Sequence, residues 1–275
     1  MTRTSAAVIM GSIFVAASLA AAAPKADLWP RWERHDPRST VTVDHAAWDE
    51  FLGKYLVADD PSGINLARYG SVTPEDRQAL RSYLESLEAV RVSEMNRDEQ
   101  RAYWINLYNA LTVLLILEHY PVKSIRDIKI SPGFFSSGPW GKKLLVIEGE
   151  KVSLNDIEHR ILRPIWKDNR LHYAVNCASL GCPNLQPAAY GSANTERLLE
   201  EGAREYVNHP RGVRFDGKKL VLSRIYGWFK EDFGGSEKGI LEHLLTYADD
   251  QLTERLRDYR GRIKNEYDWS LNIAE

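Results

Sequence analysis

The two cysteines of this 275-residue chain lie five positions apart in the segment LHYAVNCASLGCP, residues 171–183, which also contains His172. A cysteine becomes a nucleophile when a nearby histidine or a helix end stabilises its thiolate. The run HYAVN predicts a short strand, so Cys177 should lie where the chain turns, and turns of this kind often expose reactive side chains. We therefore predict that Cys177 is a nucleophile that attacks an amide or thioester carbon.

Two histidines are candidates for the base that activates this thiol. His172 would point to the opposite side of a regular strand, because an offset of five residues reverses the face. His159 is the alternative, and it follows Glu158, which falls on the apolar stripe of a predicted helix. A carboxylate on a buried stripe must be paired, protonated or functional. We expect Glu158 to orient the imidazole that serves as the base. The remaining histidines lie on charged or loop-like segments and are predicted to be surface residues, at positions 35, 45, 119, 209 and 243.

Two other roles for the cysteines stay open. Cys177 and Cys182 could form a disulfide, although such a small loop adds less than the ~3 kcal/mol expected for a fifteen-residue loop. A bridge of this size suits redox chemistry or local shaping better than global stability. The other role is that of zinc ligands, in the set His159, His172, Cys177 and Cys182. Their spacing fits no common zinc motif, so we expect no metal here.

A third candidate group lies in the segment RAYWINLYNALTVLLILEHYP, which ends at Pro121. This segment is apolar on nearly every side and predicts a buried central helix. Asn106, Asn109 and Thr112 recur every three residues and share one stripe. Buried amides normally have hydrogen-bond partners, so they either bond neighbouring loops or line a polar pocket. In the second case, the residues that bind substrate or its oxyanion are Asn106, Tyr108, Asn109 and Asn176.

The surrounding elements should form a mostly helical α+β single domain with a small antiparallel sheet of short hairpins. A papain-like or transglutaminase-like arrangement is one form it could take. Hairpins are expected at Glu148-Gly149-Glu150 and at Asp216-Gly217. Ser153 should open the helix that carries Glu158, with Asp156 three residues later as its capping partner.

Residues 1–23 have the pattern of a secretory signal peptide, with Arg3 followed by a short stretch of small apolar residues. This stretch is shorter than the ~20 apolar residues that a membrane span needs. Cleavage is expected between Ala20 and Ala23. Residues 24–275 would then form one domain, periplasmic or secreted, with no integral membrane segment.

The composition limits the possible partners. The 36 basic and 38 acidic residues give a net charge of −2, and there is no polybasic block. Nucleic acid and anionic surfaces are therefore not expected as partners. A small molecule or a peptide is the expected substrate, no cofactor is expected, and the sequence does not identify a protein partner.

Four separated motifs resemble a known family, the domains of unknown function 547: YWINLYNALTV, IEHRILRP, HYAVNCASLGCP and YDWSLN, in this order. The family has exported bacterial members and plant members. Plant relatives keep counterparts of His172, Cys177 and Pro183 but have serine at the position of Cys182. The resemblance implies that the Cys177 thiol matters without a partner cysteine, which argues against an obligatory disulfide or a Cys-Cys zinc site. It also places the asparagine stripe and Glu158-His159 in family motifs, but it supplies no reaction.

The leading hypothesis is an exported cysteine-dependent hydrolase or acyl transferase. It would act on an amide or thioester bond of a peptide or a small thiol compound, with Cys177 as the nucleophile. The alternative is a non-catalytic domain whose aromatic and asparagine-lined pocket holds a small ligand or a partner protein. A metal-binding protein is a third possibility.

Overall fold

The computed structural model of the protein describes residues 24–133 and 137–274. The predicted signal peptide and its cleavage site lie outside these residues. The helices are, in chain order, α1 (Ala46–Tyr55), α2 (Pro74–Glu88), α3 (Arg97–His119), α4 (Leu154–Asp156), α5 (Arg163–Trp166), α6 (Thr195–Asn208), α7 (Arg224–Trp228), α8 (Glu237–Tyr247) and α9 (Asp250–Arg257). The strands are β1 (Leu56–Val57), β2 (Leu66–Ala67), β3 (Leu145–Ile147), β4 (Glu150–Val152), β5 (Val213–Asp216), β6 (Lys219–Ser223) and β7 (Ile263–Glu266). Within the described residues, no helix is both long enough and apolar enough to cross a membrane.

Helix α3 is the centre of the fold. It begins after Asn96, whose side chain accepts a hydrogen bond from the amide of Glu99, and it ends at the cap residue Tyr120. Every residue from Glu99 to Leu117 is buried, which confirms the predicted buried central helix. A helix that is apolar on all sides must be surrounded by other elements, and α2 and the segment after α4 pack against it.

In the described ranges, the strands form three small sheets. β1 pairs with β2, and β3 pairs with β4, both antiparallel. The third sheet has the order β5-β6-β7. The two predicted hairpins are confirmed as β3–β4 and β5–β6. The parallel pairing of β7 with β6 was not predicted. Helices α7 to α9 provide the long connection that a parallel pair requires.

Two hydrophobic clusters lie side by side. The larger surrounds α3, and the smaller is formed by α6, α8 and the β5–β6 hairpin. Tyr173 belongs to the smaller cluster, whereas Leu171 and Ala174 belong to the larger one. The segment that leads to Cys177 therefore runs along the boundary between the clusters. The architecture is the predicted one, a mostly helical α+β domain.

The prediction of a strand at HYAVN was wrong. Asn169–Tyr173 form a 3-10 helix that begins after Asp168, whose side chain accepts from the amide of Arg170. No helix or strand is formed from residue 174 to Cys177. Short apolar runs do not distinguish a strand from a buried helical turn by their periodicity. The argument that put His172 on the opposite face from Cys177 therefore no longer applies.

Two histidines that were predicted on the surface are buried. His45 Nδ1 lies 2.6 Å from the hydroxyl of Tyr83, and His243 Nε2 lies 2.6 Å from the hydroxyl of Tyr173. Burial lowers the pKa of both imidazoles, to about 4 for His243. Their charged flanking sequences gave no sign of these tyrosine partners, which come from distant helical turns.

Candidate functional site

A tight loop with a strained backbone presents Cys177. The side chain of Asn176 holds the loop, because its Nδ2 donates to the carbonyl of Pro183 at 2.7 Å and its Oδ1 accepts from the amide of Ala178 at 2.7 Å. Ala178 is fully buried and has a φ of 57°. A left-handed conformation costs an L-residue roughly 1–2 kcal/mol, and such strain persists where the surroundings enforce it, often at functional sites.

The carboxyl-terminal segment fixes the other side of this loop. The amide of Leu180 donates to Ser270 O and that of Gly181 to Asp268 O, both at 2.8 Å. A Cβ on Gly181 would lie 2.8 Å from the backbone of Asp268, so only glycine permits this approach. The motif YDWSLN is therefore a structural part of the Cys177 site.

Two hydroxyl groups contact the thiol. Cys177 Sγ lies 3.1 Å from the hydroxyl of Tyr267 and 3.2 Å from that of Ser179, and these two hydroxyls are 3.1 Å apart. The pKa of the half-buried Cys177 thiol is lowered, first by a hydrogen bond with Cys182 and then by those with Ser179 and Tyr267, while burial acts in the opposite direction. The site therefore favours the thiolate, which is the nucleophilic form.

Both cysteines are free thiols in the structure. Cys182 is buried, and its Sγ accepts a hydrogen bond from the backbone N–H of Cys177 at 3.0 Å. Burial is the main cause that raises the pKa of Cys182. The two neighbouring thiols thus have opposite pKa shifts.

Glu158 and His159 lie in a π-helical segment, Ile157–Leu162, between α4 and α5. The predicted capping box is confirmed, with Ser153 and Asp156 bonding each other's backbone amides. π-helical turns are rare and often occur at functional sites. A π-helical turn contains one residue more than an α-helical turn, so the side chains that follow it point in other directions than in a regular helix.

Glu158 contacts Tyr108 and lies near His159. Its Oε2 accepts a hydrogen bond from the hydroxyl of Tyr108 at 3.1 Å, and its Oε1 lies 3.8 Å from His159 Nδ1. The negative charge of Glu158 raises the pKa of the Cys177 thiol. The catalytic role of Glu158 stays a prediction.

The two histidines belong to a second cluster. His172 Nε2 lies 2.7 Å from Asp232 Oδ2, and Arg163 Nε donates to the same oxygen at 2.6 Å. Arg163 is also 3.0 Å from His159 Nδ1. The ring of Phe229 stacks on His172 at 4.2 Å and lies 5.8 Å from His159. In the described part of the chain, no imidazole is a hydrogen-bond partner of Cys177 Sγ, so the role of either histidine as base stays a prediction.

The asparagines of α3 bond neighbouring loops. Asn106 exchanges hydrogen bonds with both backbone groups of Tyr190, at 2.7 and 2.9 Å. Asn109 donates to Ala174 O and accepts from the amide of Asn176, both at 2.9 Å. This is the first of the two roles that the sequence left open, and it anchors the Cys177 loop to the central helix. Their role as oxyanion donors stays a prediction.

Half-buried aromatic rings pack around Tyr267, whose hydroxyl contacts the thiol. Tyr267 lies 4.6 Å from Trp269 and 4.9 Å from Trp228, measured between ring centroids. Trp269 in turn contacts Trp140 at 5.8 Å. These rings come from three separate segments and form an apolar wall that includes Tyr267, a contact of Cys177.

The sequence did not identify four residues of these clusters, namely Arg163, Ser179, Asp232 and Tyr267. Arg163 lies in the motif IEHRILRP and Tyr267 in the motif YDWSLN. These motifs could therefore have pointed to both residues. Asp232 lies in an aromatic segment that carried no chemical pattern. In the described ranges, no group of histidine, cysteine and carboxylate residues is arranged to hold a metal ion. This includes the four residues that were considered as zinc ligands.

Comparison with known proteins gives one match. Residues 92–207 match the family described as "Protein of unknown function, DUF547". The segment contains α3, the π-helical turn, the Cys177 loop and most of α6. No curated protein and no solved structure matches the chain. The similarity of the chain to the DUF547 family thus covers residues 92–207.

Proposed function

We propose that this protein is a cysteine-dependent hydrolase or acyl transferase that acts on an amide or thioester bond of a peptide or a small thiol compound. The observation that carries the proposal is the Cys177 thiol, half-buried on a strained loop and contacted by two hydroxyl groups. The residues around it act mainly to hold this sulfur in place and to favour its thiolate. The pattern of residues 1–23 supports export to the periplasm or the exterior.

The proposed reaction has two steps. The Cys177 thiolate attacks the carbonyl carbon, and a C–S bond forms as the carbonyl π electrons move to oxygen. The carbonyl re-forms as the C–N or C–S bond to the leaving group breaks, and the leaving amine or thiol takes up a proton from water. This leaves a thioester on Cys177. Water, or an acceptor amine or thiol, attacks that thioester and regenerates the thiolate.

Glu158 is the group best placed to move the proton in the second step. The hydroxyl of Tyr108 orients its carboxylate, and the charge of this carboxylate acts on the Cys177 thiol. It can accept the proton of the attacking water, and His159 Nδ1 lies 3.8 Å from it. A positioned base of this kind contributes about 10²–10⁴-fold to a rate. The wall of Trp228, Tyr267 and Trp269 would contact an apolar part of the substrate.

The hydroxyl contacts give a testable pH effect. In Tyr267→Phe and Ser179→Ala, the pKa of Cys177 should rise, because each hydroxyl helps to lower it. Alkylation by iodoacetamide should then slow at neutral pH and reach the wild-type rate at alkaline pH, where the thiolate is fully formed. Rates measured from pH 5 to 10 test this, with the exposed Ser192→Ala as the control. An unchanged pH profile in both variants would contradict the proposed stabilisation.

Glu158→Gln should separate thiol reactivity from turnover. Removing the negative charge should lower the pKa of Cys177 and speed its alkylation at neutral pH. Turnover should fall by roughly 10²-fold, because the base for the second step is lost. The acyl-enzyme should accumulate and be visible by intact-protein mass spectrometry. Glu254→Gln, on the exposed surface of α9, is the control. Slower alkylation, or full turnover, would contradict this role.

The function itself is tested by trapping. The reduced protein is incubated with a panel of acyl thioesters and activated peptide amides, and its mass is followed on the millisecond to minute scale. The expected result is transient acylation located to residues 171–183 by peptide mapping. Acylation spread over several lysines, with none on this peptide, would reject the proposal.

A non-catalytic binding domain for a small ligand or a partner protein is the second candidate. It is favoured by the absence of an imidazole partner for Cys177 Sγ among the described residues and by the structural use of the asparagine amides. Its sign would be a Cys177→Ser variant that keeps full biological activity. Acyl transfer predicts the opposite result.

A further inference from the structure

The two cysteines are in contact but differ in access to solvent. Cys177 is half-buried, whereas only 3% of Cys182 is exposed. The backbone N–H of Cys177 donates to Cys182 Sγ at 3.0 Å. Because the N, Cα, Cβ and Sγ atoms of one residue are consecutive, rotation about the Cα–Cβ bond of Cys177 moves its sulfur relative to that of Cys182 without moving the backbone. The loop thus holds both sulfurs within reach of each other.

We propose that Cys177 and Cys182 form a reversible dithiol–disulfide couple that exchanges with low-molecular-weight disulfides, with Cys177 as the entry thiol and Cys182 as the resolving thiol. This thiol–disulfide exchange is a second activity of the loop and does not depend on acyl transfer. It does not require an obligatory bridge, since both cysteines are free in the structure described here.

The exchange is balanced in atoms and electrons. The Cys177 thiolate attacks one sulfur of an external disulfide RSSR, and a mixed disulfide forms while one RS⁻ leaves. Cys182 then attacks the Cys177 sulfur, the second RS⁻ leaves, and the proton of Cys182 passes to a departing thiolate. The net change is the oxidation of the protein dithiol by two electrons and the reduction of RSSR to two RSH.

The surroundings favour this order of attack. The hydrogen bond with Cys182 and the hydroxyls of Ser179 and Tyr267 lower the pKa of Cys177, whereas burial raises the pKa of Cys182. The more exposed thiol is therefore also the one with the greater thiolate fraction. In the reverse direction, an external thiolate reaches the Cys177 sulfur first. Cys182 then leaves as a thiolate, which accepts the N–H of Cys177.

The backbone between the two cysteines is held in a turn. The amide of Cys182 donates to Ser179 O at 3.0 Å, which closes a turn between the cysteines. The loop is fixed on one side by Asn176 and on the other by the backbone of Asp268. Formation of the disulfide would withdraw the Cys177 sulfur from Tyr267 and Ser179. The oxidised protein should therefore be inactive in acyl transfer until it is reduced.

The test uses the full folded chain and its Cys177→Ser and Cys182→Ser variants. Each reduced protein is mixed with excess oxidised glutathione, quenched with acid and weighed by mass spectrometry. The wild type should lose two hydrogens with only a transient adduct, and dithiothreitol should restore it. Cys182→Ser should keep one glutathione, and Cys177→Ser should react at least about tenfold more slowly than Cys182→Ser, because its remaining thiol is buried.

Two results would overturn the proposal. One is a wild type that keeps the glutathione adduct as long as Cys182→Ser does. The other is a Cys177→Ser variant that reacts as fast as Cys182→Ser. If a variant does not fold, differential alkylation of the wild-type peptide 171–183 across glutathione redox buffers gives the same answer, because a couple must lose both thiols together. Acylation of the reduced protein is measured separately, so either activity can fail while the other stands.

Discussion

Replacing Cys177 with alanine is expected to reduce turnover of an amide or thioester substrate by ~10³-fold or more, because removal of a nucleophile eliminates the covalent route. The fold should be retained. The substitution deletes one half-buried sulfur and leaves the backbone contacts of Asn176 and Ala178 in place, so the free energy of unfolding should fall by only about 1 kcal/mol. Steady-state kinetics and urea unfolding, measured on the same preparations, check both parts.

Cys182→Ala provides the matched comparison, since it removes the neighbouring thiol from the same loop. The pKa of Cys177 should rise when its hydrogen bond with Cys182 is lost. The activity of this variant should therefore decrease at neutral pH and recover at alkaline pH, which that of Cys177→Ala cannot do. Equal activities of the two variants at every pH would show that neither thiol is the nucleophile. Global unfolding of Cys177→Ala would instead indicate a structural thiol.

The elements near Cys177 differ in how far the sequence predicts them. Helix α3 and the capping box of Ser153 and Asp156 follow from local rules, since apolar residues on all sides and a cap three residues from its partner are visible in the sequence. The 3-10 helix Asn169–Tyr173 does not follow, because its five residues have no clear period. The π-helical turn at Ile157–Leu162 is equally invisible to a regular helical projection.

The partners of the chemical groups were harder to predict than the groups themselves. Cys177, Glu158 and His172 stood out by residue type and position. The Cys177 thiol contacts the hydroxyl of Tyr267, which lies 90 residues further along the chain. His172 contacts the carboxylate of Asp232, which lies 60 residues further along. Such contacts depend on the relative positions of the two hydrophobic clusters, which no local pattern specifies. The sequence therefore proposed a Cys-His pair, whereas the structure gives each residue a different partner.

The carboxylate of Asp232 has the largest expected effect on stability. Its Oδ2 accepts from both His172 and Arg163, whose side chains are only 2% and 5% exposed. Asp232→Ala would leave a buried guanidinium without its carboxylate, and removal of one partner of a buried pair typically costs about 3–5 kcal/mol. Because Asp232 itself is 23% exposed, we expect a loss near the lower end, about 3 kcal/mol. Urea unfolding at pH 7 measures it, with the exposed Asp258→Ala as the control.

Acidification gives an independent test of the same contact. Burial would raise the pKa of Asp232, but the hydrogen bonds from His172 and Arg163 outweigh it and hold the pKa well below its ordinary value. A carboxyl whose pKa is lowered by folding stabilises the protein above its unfolded pKa of ~3.9, and this contribution is lost as the pH falls towards the folded value. The stability difference between the wild type and Asp232→Asn should therefore shrink as the pH drops from about 4 towards 2. A difference that stays constant over this range would mean that the carboxylate charge does not hold the His172–Arg163 cluster together.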